Sequence, residues 1–375
     1  MPNPTVLGII SFKTFPAQMG GQKYVVDYYT ELSKYTKVVL AVSKDNQVDS
    51  FAPFTIYPFL YNNWFAYLNL LYVFKLCSII RKEKIDIILI DHSYFGWLGF
   101  LLRLFTKKKL VIKSANIEAL RFKDIRRIGW QLYYKYEGWV HRTANFNFFI
   151  TDNEREFAIN KWKLIPAVCR TLQYGSSTLY PAIMDEHTRC RELLIAENKL
   201  SEKTVLFLFN GTLDYIPNSD AVYIIVQELL KRLENSINPF KIFICGNQIS
   251  EEWEKVISNK EEIIFKGFVQ DIDLYYKGID CFICPVTLGT GIKTKLVEAI
   301  AHGKRIIACQ KSGTGFNKEE LGDQLQLIEN YNWTAFADAM QKIIPHQPNF
   351  QPPPSFYNKI NWTKIVQESI LSLQQ

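Results

Sequence analysis

Short runs that are apolar at nearly every position recur along the chain, most of them followed by glycine or a small polar residue. In the first half they are Thr5–Ser11, Lys37–Ser43, Asp86–Asp91, Leu110–Lys113 and Phe146–Thr151. In the second half they are Thr204–Phe209, Phe240–Cys245, Ile263–Phe265, Asp280–Cys284 and Arg305–Cys309. Continuous rather than alternating apolar character predicts strands covered on both faces. Between them lie longer stretches with helical spacing, including Lys23–Lys34, Asn63–Lys82, Tyr94–Thr106, Arg121–Arg142 and a helix from about Asp220. Strand and helix in repeated alternation predict an α/β architecture built on parallel sheets.

The rhythm is interrupted near Tyr174 and Gly175, which divides the chain into predicted domains 1–175 and 176–355. Ser176 to about Glu202 reads as an entry helix and connector. The proline-rich stretch Pro345–Pro354 reads as an extended connector, followed by a helix within 356–375 that carries Trp362 and is expected to return to the first domain. The uncharged run Tyr57–Phe74 contains Pro58 and three asparagines, so an interfacial or core helix is expected there rather than a membrane span.

One stretch couples this pattern to chemistry. After the apolar run ending at Cys284 come Gly289, Thr290 and Gly291, then a predicted helix carrying Lys293, Lys295 and Glu298, then Gly303 and another apolar strand. A glycine turn at a helix start presents unpaired N–H groups and the positive end of the helix dipole, which favour an anion. Lys293 adds a mobile cation. Glu298, placed about two turns into the helix on the face of Thr294 and Gly291, can turn its carboxylate toward the same ligand. A lone glycine turn is more often a packing device; the conjunction of two glycines, two lysines and a glutamate raises this one. Phosphate at the turn and hydroxyls at the carboxylate describe a nucleotide-sugar.

Composition narrows the classes further. With 375 residues, 48% hydrophobic and 22% charged, the chain suits two globular domains without a disordered tail. Its net charge of +7 fits anionic substrates or an anionic membrane surface. Seven scattered cysteines fit a reducing compartment, and the Cys281/Cys284 pair is read as buried packing rather than a metal site. No basic region followed by a long apolar core opens the chain. The expected location is cytoplasmic, with peripheral attachment to the inner face of the plasma membrane as an addition. That addition rests on basic residues interleaved with aromatics, Arg121 to Lys135, and on the basic ends Arg81–Lys84, Lys107–Lys109 and Arg126–Arg127. The competing account is a solvated helix flank, and no nucleic-acid motif accompanies the cations.

The segment Gly289 to Lys304, Gly-Thr-Gly-Ile-Lys-Thr-Lys-Leu-Val-Glu-Ala-Ile-Ala-His-Gly-Lys, closely resembles the donor-site segment of family 4 glycosyltransferases of the GT-B fold. The resemblance implies two Rossmann-like doubly wound domains facing each other across a cleft. It implies transfer of a sugar from a nucleoside diphosphate donor to a glycan or lipid-linked acceptor, with retained anomeric configuration, no cofactor and no obligatory metal. By the same resemblance, Gly291 with its neighbouring N–H groups and Lys293 receive the diphosphate, and Glu298 holds the ribose. Gly211, Thr212, Gly246, Phe268, Val269, Gly289, Thr290, Ile292 and Thr294 complete the donor side, with Phe268 and Val269 at the base. Gly20 and Gly21, in a loop after the first strand, face donor phosphate or acceptor, as do Asn116 and Glu118. His92, at a strand's carboxyl end, is a candidate catalytic residue of the cleft.

The chain departs from that pattern at Thr290, where relatives carry the first of two glutamates, and at Ala115, where many carry histidine. It departs again at Thr212 and at Pro217 or Asn218, where many relatives carry arginine and lysine. With fewer cations, Lys293 is expected to matter far more than Lys295. Asp271 and Asp273 form an Asp-x-Asp that is read as a helix start rather than a metal site. A sugar-nucleotide epimerase on the same fold and a noncatalytic nucleotide-binding protein are the alternative readings.

Overall fold

The structure, a computed structural model, describes residues 3–17, 19–47, 52–234 and 236–374. The chain divides into two compact units, Met1–Gly175 with Lys359–Gln375, and Ser176–Asn358.

The first unit is built on strands β1 (Val6–Ile9), β2 (Val38–Ser43), β3 (Thr55–Leu60), β4 (Ile87–Asp91), β5 (Lys109–Ser114), β6 (Phe146–Phe149) and β7 (Cys169–Thr171). They form a sheet of order β3-β2-β1-β4-β5-β6-β7 in which every neighbouring pair is parallel. Every residue of β1, β2 and β4 is buried, which is why these runs are apolar throughout. A Cβ on Gly8 would lie 2.6 Å from the Tyr29 ring, so glycine lets the helix Gly20–Ser33 press onto β1. Behind that helix, Lys113 pairs with Asp91 at 2.6 Å and lies under the rings of Tyr24 and Tyr28. Tyr29 donates to the other Asp91 oxygen at 2.6 Å, so this buried ion pair is enclosed by one helix and two strands.

Three expectations are corrected here. Residues 55–60, in part read as helix, form β3, because Pro58 sits in a half-exposed strand at the end of the sheet. The helix expected over Asn63–Lys82 is two pieces, a 3-10 turn Trp64–Leu68 and an α-helix Leu71–Lys82. The helix expected over Arg121–Arg142 is likewise two, Glu118–Asp124 and Trp130–Thr143, broken at Gly129, whose φ is +84°.

The second unit carries β8 (Val205–Asn210), β9 (Phe240–Cys245), β10 (Ile263–Gly267), β11 (Cys281–Cys284), β12 (Arg305–Cys309) and β13 (Leu325–Ile328). Their order is β10-β9-β8-β11-β12-β13, again parallel at every pair. Residues 176–183 are irregular and the entry helix is Met184–Glu197. It packs on the helix Ile272–Gly278 and anchors its buried Arg191 on Asp280 at 2.6 Å. All seven cysteines are buried and unpaired, Cys281 and Cys284 included.

Residues 345–353 have no regular structure, and the end of the chain is two helices, Pro354–Ile360 and Trp362–Gln374. The second belongs to the first unit. Tyr28 meets Ser369 at 3.2 Å, Thr363 donates to Glu31 at 2.9 Å, and the Trp362 ring occupies the space a Cβ on Gly175 would take.

Candidate active site

In a doubly wound sheet, ligands bind at the carboxyl edge where the strand order reverses, because the loops from the two central strands turn to opposite faces and leave a crevice. In the second unit that point lies between β8 and β11. The loop after β8 holds Gly211, Thr212, Leu213, Asp214 and Tyr215 and leads into the helix Ile216–Ile224. The loop after β11 holds Gly289, Thr290, Gly291 and Ile292 and leads into the helix Thr294–Ala301, with Lys293 at its N-cap. Gly289 and Gly291 have φ of +83° and +73°, the left-handed region in which glycine is nearly free of strain.

Two lysines converge here by different routes. The Lys293 ammonium turns back on the turn that precedes it, donating to the carbonyls of Gly289 at 3.3 Å and Thr290 at 3.2 Å. Lys295 passes over the Phe209 ring at 4.3 Å and donates to Asn218 Oδ1 at 2.8 Å. Asn218 in turn donates to the Thr212 carbonyl at 2.8 Å, so one side chain ties the loop after β8 to the second lysine. A Cβ on Gly211 would lie 2.6 Å from Asn218 Nδ2 and 2.8 Å from Lys295 Nζ. Gly211 therefore lies directly beside an ammonium group. Burial, with a smaller push from the charge on Lys293, brings Lys295 down to about 8, so the two ammonium groups repel each other. An anion between them would relieve that repulsion. The Thr290 hydroxyl, at the position where a glutamate was missing from the motif, is buried with no hydrogen-bond partner among the described residues.

Glu298 lies in the fifth position of the helix, a little over one turn in rather than two, and accepts from Ser176 Oγ at 2.7 Å. Beneath it, Tyr276 is buried and bridges the two central elements, its hydroxyl 3.2 Å from both Asn210 Oδ1 and the Lys295 carbonyl. Its ring stacks on His302 at 5.3 Å, which fixes the far end of the helix. Gly246 serves packing: a Cβ there would lie 1.9 Å from the Gly211 carbonyl oxygen. Phe268 and Val269 follow β10, with Phe268 exposed, two strand positions from β8 and hence about 10 Å along the same edge. Asp271 accepts from the Leu274 N–H at 3.2 Å as the cap of its helix, which accounts for one half of the Asp-x-Asp.

The first unit has its own reversal point, between β1 and β4, and it is furnished differently. His92 follows β4 with a φ of +64°, its ring edge-on to Phe12 at 5.5 Å and its Nδ1 3.4 Å from Glu118 Oε1. Glu118 also receives Tyr94 at 2.6 Å and the Arg121 guanidinium at 2.6 Å. Burial alone would raise this carboxyl, but His92, Arg121 and Tyr94 together hold it down at about 2. Glu137, from the helix Trp130–Thr143, accepts the N–H groups of Glu118 at 3.0 Å and Ala119 at 2.9 Å and the Ser93 hydroxyl at 2.9 Å. Burial, with the Glu118 charge adding to it, pushes Glu137 up to about 8. Asn116 lies in the bend before the helix Glu118–Asp124. Gly20 and Gly21, expected in a loop, form the first turn of the helix Gly20–Ser33, capped at Met19. A Cβ on Gly21 would meet nothing within 4 Å.

Residues 204–346, less than half of the chain, match the family model described as group 1 glycosyl transferases. Solved structures align over nearly the whole length. Sucrose-phosphate synthase from Thermosynechococcus elongatus is 14% identical over 99% of this chain and 94% of its own, with a TM-score of 0.70. HepE from Anabaena, solved with UDP and glucose, is 12% identical over 99% and 100%, with a TM-score of 0.70. The fold is GT-B. A glycosyltransferase from Rickettsia africae shares the GT-B arrangement at 15% identity over 100% and 94%, with a TM-score of 0.63. No curated protein sequence matches the chain. The matched segment of this GT-B chain contains β8 to β13 and the whole turn from Gly289 to Lys293.

Proposed function

We propose that the protein is a retaining glycosyltransferase that moves a sugar from a nucleoside diphosphate sugar to a glycan or lipid-linked acceptor of envelope polysaccharide or glycoconjugate synthesis. The observation that carries this reading is the convergence of Gly211, the Gly289–Gly291 turn, Lys293 and Lys295 at the reversal point of the second sheet. The family match over that unit and the resemblance of Gly289–Lys304 support it.

The chemical demand is to stabilise a departing diphosphate. Backbone N–H groups at a helix start and two ammonium groups meet it through fixed dipoles and charges, without a metal ion being needed to neutralise the leaving group. Gly211 keeps the approach to Lys295 open, Thr290 offers an unused hydroxyl, and Glu298 is positioned for ribose hydroxyls by Ser176. Phe268 and Val269 stand where the base would extend. In the first unit, His92 and the aromatic residues around Glu118 offer faces and hydrogen-bonding groups suited to an uncharged polyhydroxylic acceptor. Peripheral attachment to the inner face of the plasma membrane belongs to the same reading.

The test is a thermal-shift and hydrolysis panel of uridine, guanosine and adenosine diphosphates and their sugars in the presence of a chelator. UDP and UDP-glucose come first, because the fold neighbour HepE was solved with both. A base-selective rise in melting temperature with release of the nucleoside diphosphate is expected. No shift with any nucleotide, or a shift that the chelator abolishes, overturns the reading.

A further inference from the structure

At the carboxyl edge of the first sheet, the loop after β4 and the element after β5 take their hydrogen bonds from one helix. Tyr133, Tyr136 and Glu137 share a face of the helix Trp130–Thr143 by three- and four-residue spacing. Tyr136 Oη accepts the Trp97 N–H at 3.1 Å and donates to the Tyr94 carbonyl at 3.1 Å. Tyr133 Oη meets Ser93 Oγ at 2.9 Å, and Ser93 Oγ donates to Glu137. Glu137 also takes the first N–H groups of the helix Glu118–Asp124, whose own N-cap, Ile117, has no polar side chain to offer them. A serine or asparagine in place of Ile117 could cap that helix without burying a carboxyl. Only a long side chain from a third element reaches Ser93 as well.

The two segments joined in this way carry His92 and Glu118. His92 adopts its left-handed φ of +64° directly after β4. Lys84, Lys107, Arg126, Lys163 and Lys199 have positive φ too, but each follows a helix, where that conformation closes the last turn. A histidine held so at a strand end has to be over-determined by its surroundings. The Lys113 carbonyl accepts its N–H at 2.9 Å, and its ring packs on Phe12 and Tyr94 at 5.5 and 5.9 Å. Its buried Nδ1 faces Glu118 Oε1 at 3.4 Å. Glu137 makes no hydrogen bond to the imidazole among the described residues. It acts on the pair from behind, through the hydroxyl next to His92 and the N–H of Glu118 itself.

We propose that Glu137 is a positioning residue of the acceptor side: by holding the Ser93 hydroxyl and the N–H groups of Glu118 and Ala119 together, it sets the His92 imidazole against the Glu118 carboxylate. Its purpose rests on the transfer reading, in which His92 and Glu118 meet the acceptor. Nuclear magnetic resonance of the full chain with labelled imidazoles tests it, the His92 signals being assigned by their loss in His92→Gln. Glu137→Leu keeps the bulk and removes every acceptor, and Ser93→Ala removes one of the three donors. Both variants are expected to move the His92 signals in the direction in which Glu118→Gln moves them, Ser93→Ala by about half as much. Glu31→Gln, which breaks a half-buried pair elsewhere in the unit, is expected to leave them in place. Release of UDP from UDP-glucose, with water as acceptor, is expected to fall about ten-fold in Glu137→Leu and in His92→Gln, and no further in the double variant. The KM for UDP-glucose should stay within about two-fold of wild type. Where Glu137→Leu fails to fold, Ser93→Ala carries both measurements. A wild type that neither binds nor cleaves UDP-glucose strikes the transfer reading, while the His92 signals still decide the positioning role. Signals unmoved in Glu137→Leu and Ser93→Ala, signals moved equally by Glu31→Gln, or a double variant that loses the product of the two single losses, each overturns the proposal.

Discussion

The two units share one strand order, with a seventh strand added in the first, and differ in what they place at its reversal point. In the second unit the loops after β8 and β11 carry glycines and lead to two lysines, with Glu298 set back on Ser176. In the first unit the same position is lined by aromatic rings, and its carboxylates are already engaged: Glu118 by Arg121, Tyr94 and His92, and Glu137 by two N–H groups and a hydroxyl. The sheet sets where a ligand can sit, and the loop residues set its charge. One edge gathers ammonium groups beside glycines, and at the other the charges are paired with one another.

Removing the cations from the second edge should have the largest effect. Lys295→Ala is expected to lower kcat/KM by about a hundredfold, about 3 kcal/mol of lost leaving-group stabilisation. The sequence expects Lys293 to dominate. With Lys293 turned onto the carbonyls of Gly289 and Thr290 and Lys295 beside Gly211, the account expects losses of similar size from Lys293→Ala, read in steady-state transfer assays. Mild losses from both would break the comparison. Next, Glu298→Ala should raise the donor KM about ten-fold with a smaller change in kcat, because a ribose contact is made equally in ground and transition states.

The first edge is tested through pH. Glu137, raised from 4.5 to about 8, stabilises the fold fully below about pH 4.5, and that contribution is lost as pH rises toward 8. Glu118, lowered from 4.5 to about 2, does the opposite: its contribution is present above pH 4.5 and lost as pH falls toward 2. Melting temperatures of Glu137→Gln should therefore lack the wild-type decline between pH 4.5 and 8, and those of Glu118→Gln the wild-type rise between pH 2 and 4.5. Each limb is worth on the order of a few kcal/mol. Parallel curves for variant and wild type would mean that these carboxyls are not buried in the states assigned. Smallest of all, Asp271→Ala should cost about 1 kcal/mol in chemical denaturation through the lost helix cap, with no change in activity under chelator.

Much of this was legible in the chain. Strands apolar at every position announced their burial, and the Gly289–Lys304 spacing announced a glycine turn feeding a helix. What escaped depends on long-range partners. Asn218 reads only as a place where relatives carry a cation, and Tyr276 as an ordinary helix residue, until the fold brings them to Lys295 and Asn210. Glu137 lies in a basic, aromatic helix where a glutamate looks solvated; only the approach of Glu118 and Ala119 turns it into a buried cap. β3 was hidden by Pro58, and the break between Asp124 and Trp130 by cations that continue across Gly129.

The second unit alone is expected to supply the cradle for a diphosphate. Calorimetric titration of UDP and of uridine into wild type and into Lys293→Ala with Lys295→Ala, all in chelator, tests it most directly. UDP is expected to bind wild type at least ten-fold more tightly than uridine does, and the double variant is expected to erase this preference. Equal affinities for UDP and uridine in wild type, or a preference that survives in the variant, would contradict it.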